Sequence, residues 1–438
     1  MKNNIKLISI LSIMILAGCG TKNSSSEQIN TSSNSIISSS VSNNSENKNS
    51  SESMFTNDTK LLISEYVEGS GDNNRAIELY NFSNEEVNLN EYTIAHYKRE
   101  YTPDSQVILS GTLKAKETFV VVTATADAEL KEKADLVSED LFFTGKGAVA
   151  LMHNGKVADS LGYISLYAEY AVDTTLVRKV DYLNPRPEYD AYDWIKYATD
   201  NFKYLGNVEN SVTPEELLNG PCLDDKYLDL EQYPFYYNDG NSNRGGGGAV
   251  SGSVRNNIDG DTSDLFVNGI NPKDFMTSSN YYGTLNGKTW LRARYYGVDT
   301  PESGGNAGIQ EFGMMAKYYT AFIQNHADVI YVQTVKDDSL LGNFGRLLAY
   351  IWADRDTLVN YETIKAGYSV SGYSYHFDMM YKDIPYESYF YNANLYARKN
   401  KLGRYGEKDP YWNYSSGKSY CETLTCGNYF ENGGSILG

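Results

Sequence analysis

The sequence predicts two folded domains in one chain, an all-β sandwich followed by an α+β domain. With 438 residues, 41% of them apolar, the chain is long enough to bury two cores. Its first half has short apolar runs separated by Gly, Asn and Asp, a pattern typical of strands and turns. Its second half adds segments of helical periodicity, and a glycine-rich stretch separates the two halves.

Residues 1–19 have the pattern of an export signal. Two lysines precede a mostly apolar run, residues 7–17, and Gly18 and Cys19 follow it. The run is too short to span a bilayer. The stretch "LAGC" that ends at Cys19 resembles the lipobox of bacterial lipoproteins. This resemblance implies that Cys19 is acylated and holds the chain at the extracellular face of the cell membrane. A plain secretory signal with a chance cysteine is the alternative.

A polar segment follows the signal. Residues 20–55 are nearly all Ser, Asn, Thr, Glu and Lys. They carry too little apolar surface to offset the entropy of ordering, so we expect a disordered tether with an r.m.s. reach of about 30–35 Å.

The net charge limits how the chain could meet nucleic acid. A formal charge of −18 excludes binding of DNA through bulk positive charge. Contact with nucleic acid must therefore be local and made by a few placed cations. The least acidic large segment is residues 250–413.

Residues 56–208 have the pattern of an all-β sandwich. Short apolar runs alternate with turn residues. The runs are residues 61–63, 76–80, 118–122 and 148–152. We expect the carboxylates of Glu65, Glu68 and Glu78 to lie at the surface or in turns rather than to act as ligands.

The same segment resembles the lamin tail domain. The resemblance rests on "LLISEYVEGSGDNNRAIELYNFSNEEVNLNEYTI" (61–94), "GKGAVALMHNGKVADSLGY" (145–163) and "TLVRK" with Trp194. It implies an immunoglobulin-like sandwich. In that family the domain is mainly an accessory module, so we assign it no catalysis and leave its partner open.

Residues 209–249 are predicted to be a linker. The segment is acidic and aromatic and ends in four glycines. A phosphate-binding loop would need a Lys-Ser/Thr ending and a following helix, which are both missing. Residues 414–438 form a C-terminal tail, in which Cys421 and Cys426 could close a small loop.

Residues 250–413 have the pattern of an α+β unit. Strand-like runs are residues 290–297, 329–335 and 346–352. Helical periodicity and boundary residues predict helices over 307–325, 356–366 and 386–400.

Several acidic and basic residues of this unit are candidates for chemistry. Taken alone, the Asp-Gly pair before Asp261 is a tight turn and Arg346 is a surface arginine. Asp299 and Glu302, on either side of a proline turn, could converge with Asp261 to hold a hard cation such as Ca²⁺. Strand alternation places Arg294 on the polar face just before that turn. The four histidines are not at metal-binding spacing, which disfavours zinc or iron.

Five stretches in this order resemble the thermonuclease, or staphylococcal-nuclease-like, family. They are "IDGDT" (258–262), "RYYGVDTPES" (294–303), "EFGMMAK" (311–317), "FGRLLAYIWAD" (344–354) and "VNYETIKAGYS" (359–369). The resemblance implies an OB-like five-stranded barrel with three helices. It also implies Ca²⁺-dependent hydrolysis of phosphodiester bonds that leaves 3′-phosphate ends.

The resemblance also implies a role for each matching residue. Asp261 and Asp299 would be metal carboxylates, with the backbone carbonyl of Thr300 as a further ligand. Glu302 would activate the attacking water. The remaining implied residues bind the substrate. Arg294 and Arg346 would bind phosphoryl oxygens, and Tyr373 and Tyr375 would lie near the nucleotide, with core packing as an almost equal alternative.

Three features depart from the family's pattern. Asn343 and Phe344 replace a frequent Lys-Tyr pair, which removes a charge and a hydroxyl near the substrate. Residues 270–288 form a longer hairpin connection than usual, which could reshape the groove. The nearly neutral domain predicts weaker and more salt-tolerant binding than that of a basic nuclease.

These patterns lead to one functional hypothesis. The chain is expected to be an exported, membrane-anchored, Ca²⁺-dependent endonuclease acting on extracellular DNA or RNA. The alternative is a catalytically inactive lipoprotein that binds nucleic acid or acts as an adhesin. The presence of all five candidate carboxylate and arginine residues argues against that alternative.

Overall fold

The computed structural model describes residues 53–71, 73–223, 234–237, 246–371 and 379–437. The predictions for Cys19, Tyr373 and Tyr375 concern residues outside these ranges. Within the described ranges, no helix has the length and apolar character needed to cross a membrane.

The first domain packs two sheets face to face. Its strands are β1 (Leu61–Glu68), β2 (Arg75–Asn81), β3 (Val87–Asn88), β4 (Tyr92–Tyr97), β5 (Ser105–Ile108), β6 (Thr112–Leu113), β7 (Thr118–Thr123), β8 (Leu136–Ser138), β9 (Ala148–His153), β10 (Lys156–Gly162), β11 (Thr174–Arg178) and β12 (Trp194–Tyr197), with one short helix, α1 (Ala128–Lys131). The sheets have the orders β12-β11-β1-β2-β7-β8 and β10-β9-β4-β5. The predicted immunoglobulin-like sandwich is therefore confirmed.

The larger sheet is buried on both faces. One face packs against the smaller sheet, and the other is covered by apolar residues of segments 126–130 and 202–205. Glu65 and Glu78, which pair across β1 and β2, are 0% exposed, and Glu68 is 5% exposed. The expectation of surface or turn carboxylates is wrong. The covering segments are distant in sequence, so the local pattern does not indicate their docking.

Replacing Glu78 with Gln is expected to reduce the pH dependence of stability. Burial, only partly offset by hydrogen bonds from Ser64 and Gly206, raises the pKa of Glu78 to about 7. The folded state therefore holds this proton more tightly than the unfolded chain, whose Glu pKa is about 4.3. Wild-type stability should decrease as pH rises between these two pKa values, by about 4 kcal/mol in total. Glu78→Gln should remove that loss.

Urea unfolding at about pH 5 and about pH 8 measures this difference. Glu139→Gln is the matched control, since Glu139 is exposed and its replacement should leave the wild-type pH dependence unchanged. An identical pH dependence in the wild type and Glu78→Gln would contradict a proton-binding Glu78.

The second part of the chain is built on a sheet with additional short strands. Its strands are β13 (Tyr236–Tyr237), β14 (Gly246–Asp259), β15 (Thr262–Val267), β16 (Tyr282–Leu285), β17 (Lys288–Tyr295), β18 (Val298–Asp299), β19 (Ile330–Asp338), β20 (Leu347–Ala353), β21 (Thr357–Leu358), β22 (Val370–Ser371), β23 (Met380–Tyr381), β24 (Ile384–Pro385), β25 (Trp412–Asn413) and β26 (Lys418–Ser419). Its helices are α2 (Pro214–Asn219), α3 (Gly313–Asn325), α4 (Val359–Lys365) and α5 (Tyr386–Lys399).

Five of these strands close into a barrel. Antiparallel pairing joins β17, β15, β14, β19 and β20 in that order, and a parallel pairing of β17 with β20 closes the ring. Ala293 and Leu347 are partners in the closing pair. The predicted five-stranded OB-like barrel is confirmed, and α3, α4 and α5 are its three helices. The closure brings the end of β17, which carries Arg294, close to Arg346, the residue just before β20.

The first barrel helix begins later than predicted. The periodicity predicts a start near residue 307, but α3 begins at Gly313. Phe312 has a φ of 66°, in the left-handed region, which a helix cannot continue through. The N–H of Phe312 instead donates to Asp409 Oδ2 at 2.6 Å. The other two helices lie within the predicted ranges.

One edge of the sandwich, which has its own core, packs into the apolar core of the barrel. Val177, Ile195 and Tyr197 of the sandwich edge belong to the same cluster of buried residues as the barrel interior. The predicted linker contributes to it, since Tyr361 of α4 donates to the carbonyl of Leu217 at 2.8 Å. Strand β14 begins at Gly246, also inside the range predicted as linker.

The C-terminal tail packs against the barrel helices. Cys421 and Cys426 are joined by a disulfide, as their spacing allowed. Tyr318 of α3 donates to the carbonyl of Cys426 at 3.0 Å. Phe430 lies 5.3 Å, ring centre to ring centre, from Tyr319. The tail therefore covers one side of α3.

Candidate active site

The turn between β14 and β15 places a buried carboxylate at the end of the barrel. Asp261 is 5% exposed. Its Oδ2 accepts from the backbone N–H of Thr300 at 3.0 Å and from the Thr300 hydroxyl at 3.2 Å. A Cβ at Gly260 would lie 2.8 Å from the Thr300 hydroxyl oxygen, so only glycine allows this approach. The Asp-Gly turn and the later Asp-Thr segment are thus parts of one site.

Arg294 joins the two aspartates that the sequence predicts as metal ligands. Its Nη1 contacts Asp261 Oδ2, and its Nη2 donates to Asp299 Oδ1 at 2.9 Å. Burial acts to lower the pKa of Arg294, but the carboxylates of Asp261 and Asp299 outweigh it and raise that pKa. The guanidinium is therefore fixed as a cation between two carboxylates.

The two aspartates differ in exposure. The Asp299 side chain is 54% exposed, whereas that of Asp261 is 8% exposed. The backbone of Asp299 is held on both sides by Ser369, whose hydroxyl accepts from the Asp299 N–H at 2.8 Å and donates to its carbonyl at 3.1 Å. Asp299 thus points an accessible carboxylate outward from a rigid backbone.

Glu302 lies on a loop that is fixed through its main chain. Its N–H donates to Gln310 Oε1 at 3.0 Å, and its carbonyl accepts from the Gln310 N–H at 2.8 Å. Burial, with the neighbouring carboxyl groups of Asp261 and Glu302, raises the pKa of Asp259 to about 6. The Glu302 carboxyl therefore lies beside the Asp259-Asp261 turn.

Arg346, the residue just before β20, lies at the same end of the barrel. Its Nη1 donates to the Thr262 hydroxyl at 3.2 Å, and Thr262 is the cross-strand partner of Arg294. Burial and the positive charge of Arg294 lower the pKa of Arg346. Two cations thus lie close together, an arrangement that favours an anion between them.

The structure brings six of the predicted site residues to one end of the barrel. They are Asp261, Arg294, Asp299, Thr300, Glu302 and Arg346. Sequence reasoning missed the polar residues that fix the loops, Gln310 and Ser369. Ser369 ends one of the matching stretches, but nothing in the pattern indicated that it bonds to Asp299.

The donor set suits a hard cation. The side chains of Asp261 and Asp299 offer carboxylate oxygens, which Ca²⁺ prefers. Among the residues that the structure describes, no three His, Cys, Asp or Glu side chains form a cluster able to hold a metal ion. A cation would therefore need two carboxylates completed by carbonyl and water oxygens, a combination that Ca²⁺ accepts and that tetrahedral zinc does not.

Fold and site together define a two-domain protein in which an immunoglobulin-like sandwich precedes an OB-like barrel bearing an acidic and guanidinium site. Residues 56–165 match the family model of the Lamin Tail Domain, and residues 292–405 match that of the Staphylococcal nuclease homologue family. The chain thus contains a lamin tail domain followed by a staphylococcal nuclease homologue domain. The second match supports a nuclease-type hydrolase in general. No curated protein matches the chain.

Proposed function

We propose that this protein is an exported, membrane-anchored, Ca²⁺-dependent nuclease that hydrolyses phosphodiester bonds of DNA or RNA, leaving 3′-phosphate ends. The observation that carries the proposal is the convergence of Asp261 and Asp299 on Arg294, with Arg346 and Glu302 at the same end of the barrel. Asp261 lies before the span that matches the nuclease family, so its position at this site is evidence independent of that match.

Three groups of this chain would hold the cation. They are the carboxylates of Asp261 and Asp299 and the backbone carbonyl of Thr300. When bound, Ca²⁺ would supply a Lewis acid that neutralises charge on the scissile phosphate.

The remaining groups act on the phosphate and on water. Arg294 uses two of its nitrogens on carboxylates, and the guanidinium has further N–H donors for phosphoryl oxygens. Arg346 adds a second forked cation, so both can stabilise charge that develops in the transition state. Glu302 accepts the proton of the attacking water.

Removal of calcium is expected to abolish cleavage. The purified chain is incubated with plasmid DNA and with single-stranded RNA in Ca²⁺, in Mg²⁺ and in EGTA, and the product ends are analysed. Cleavage should occur in Ca²⁺, be poor in Mg²⁺ and be lost in EGTA, because the ligands are all oxygen and lie on turns. Asp261→Ala should reproduce the EGTA loss, whereas Asp328→Ala, at an exposed position, should not. Full activity in EGTA would exclude the calcium proposal.

Membrane attachment through Cys19 has its own test. The lipobox-like stretch motivates the proposal. Cys19→Ser should move the protein from the membrane fraction to the medium, because serine lacks the thiol that would carry the lipid. Retention of the Cys19→Ser protein in the membrane fraction would exclude lipid anchoring at this residue.

A further inference from the structure

The outward face of β17 carries a row of cationic and aromatic side chains. Alternate residues of this strand are buried in the barrel, and the others face outward. The outward residues are Lys288, Trp290, Arg292 and Arg294. Arg294 belongs to the candidate active site, so the row starts at the site and runs away from it at about 7 Å per pair of residues.

A buried carboxylate outside the active site fixes two cations of this row. Asp264 is 1% exposed and is the cross-strand partner of Arg292. It accepts from Arg292 Nε at 2.6 Å and Nη2 at 3.0 Å, and from Arg255 Nη1 at 2.5 Å. Two guanidinium groups therefore share one carboxylate, which leaves a net positive charge and holds both planes in fixed orientations.

Aromatic rings lie against both guanidinium groups. The Cζ of Arg255 lies 4.1 Å from the ring centre of Trp290, and that of Arg292 lies 5.6 Å from that of Tyr281. The Arg255 side chain remains 27% exposed and that of Arg292 24% exposed. Each guanidinium group thus has a ring packed against it and remains partly exposed to solvent.

The longer connection, residues 270–288, builds one wall of this surface. It provides Tyr281 and adds β16 as an edge strand beside β17. Gly283 of β16 lies opposite Trp290, and a Cβ there would come within 2.9 Å of the indole Nε1. The glycine therefore lets the edge strand lie flat against the indole.

We propose that Arg255, Tyr281, Lys288, Trp290 and Arg292 form a binding row for single-stranded nucleic acid that continues from the scissile phosphate. The inference rests on the proposed nuclease function and names its substrate class. Arg255, Arg292 and Lys288 neutralise backbone phosphates, and the partly exposed guanidinium planes of Arg255 and Arg292, backed by Trp290 and Tyr281, stack on bases.

The combination of planes and charges favours this occupant over other polyanions. An acidic peptide would satisfy the cations but would leave the stacked planes unused. In a duplex the bases are already stacked on one another, so only a single strand presents base faces to such a surface. The row also meets the condition set by the net charge, that contact with nucleic acid be made by a few local cations.

The experiment compares Trp290→Ala with Trp290→Phe in the purified chain. Binding of a labelled single strand of about 16 nucleotides, the upper site size for an OB-type barrel, is measured by fluorescence anisotropy in EGTA, with DNA and RNA arms and a duplex arm. We expect Trp290→Ala to leave the Arg255 plane unsupported and thereby to weaken single-strand binding about tenfold, within the range for loss of one base stack. Trp290→Phe should keep it, and duplex binding should change by less than about twofold.

A second variant covers the case in which Trp290→Ala fails to fold. Arg255→Gln leaves the indole in place. It should make the slope of the logarithm of the binding constant against the logarithm of the salt concentration less steep by about 0.7, the value for one phosphate contact with a single strand. In Ca²⁺, cleavage of a dinucleotide should be unchanged in both variants, because it does not reach the row.

The outcomes separate this inference from the proposed function. Unchanged single-strand binding in the folded variants would overturn the proposed binding row. Equal losses in single-strand binding, duplex binding and dinucleotide cleavage would overturn it as well. If the wild type cleaves neither DNA nor RNA, the hydrolytic function fails, while the anisotropy measured in EGTA still tests the row.

Discussion

Glu302→Gln is expected to lower kcat by about 10³-fold, within the range for loss of a general base, while nucleic-acid binding stays near the wild-type level. Gln keeps the size of the side chain and a carbonyl oxygen but cannot accept a proton. The loop itself should not move, because Gln310 holds the main chain of residue 302 from both sides. Single-turnover cleavage in Ca²⁺ and anisotropy in EGTA measure the two quantities separately.

The control for this variant is Glu311→Gln. Glu311 lies in the following loop and is exposed, so its amide variant should cleave at the wild-type rate. A Glu302→Gln rate within about tenfold of the wild type, below the smallest loss typical of a general base, would show that another group accepts the proton.

Arg294→Lys and Arg346→Lys are each expected to lower kcat/KM by roughly 10²-fold, about 3 kcal/mol of transition-state stabilisation. Lysine keeps the charge but replaces a planar fork with a point charge. At position 294 it cannot contact Asp261 and Asp299 at once, as the guanidinium does. Initial rates at low substrate concentration give the ratio, and thermal unfolding checks that the fold is kept.

Arg398→Lys is the matched control for both arginines. Arg398 lies on α5, where it donates to Asn394 at 3.0 Å and stacks on the ring of Tyr405. It contacts none of the candidate carboxylates, so its lysine variant should stay within a few-fold of the wild-type rate. Near-normal rates in Arg294→Lys and Arg346→Lys, with unchanged melting, would assign both residues to the surface.

The candidate site was more accessible to sequence reasoning than the surface around it. Asp261, Asp299 and Glu302 lie in turns rich in Gly and Pro, whose residue types indicate both geometry and chemistry. By contrast, Asp264, Arg255 and Trp290 are separated along the chain and fit an ordinary strand pattern. Only the register of β14, β15 and β17 brings them together.

The sequence by itself determined the two domains, the predicted strands and two of the three barrel helices within a few residues, and the identity of the candidate carboxylates and arginines. These features depend on local periodicity, turn residues and the order of the matching stretches. Tertiary structure alone decided which distant groups meet. The parallel closure of β17 on β20 sets Arg294 beside Arg346, and docking of residues 202–205 buries Glu65 and Glu78. Such contacts join residues far apart in the chain, and their free energy depends on packing that no local pattern records.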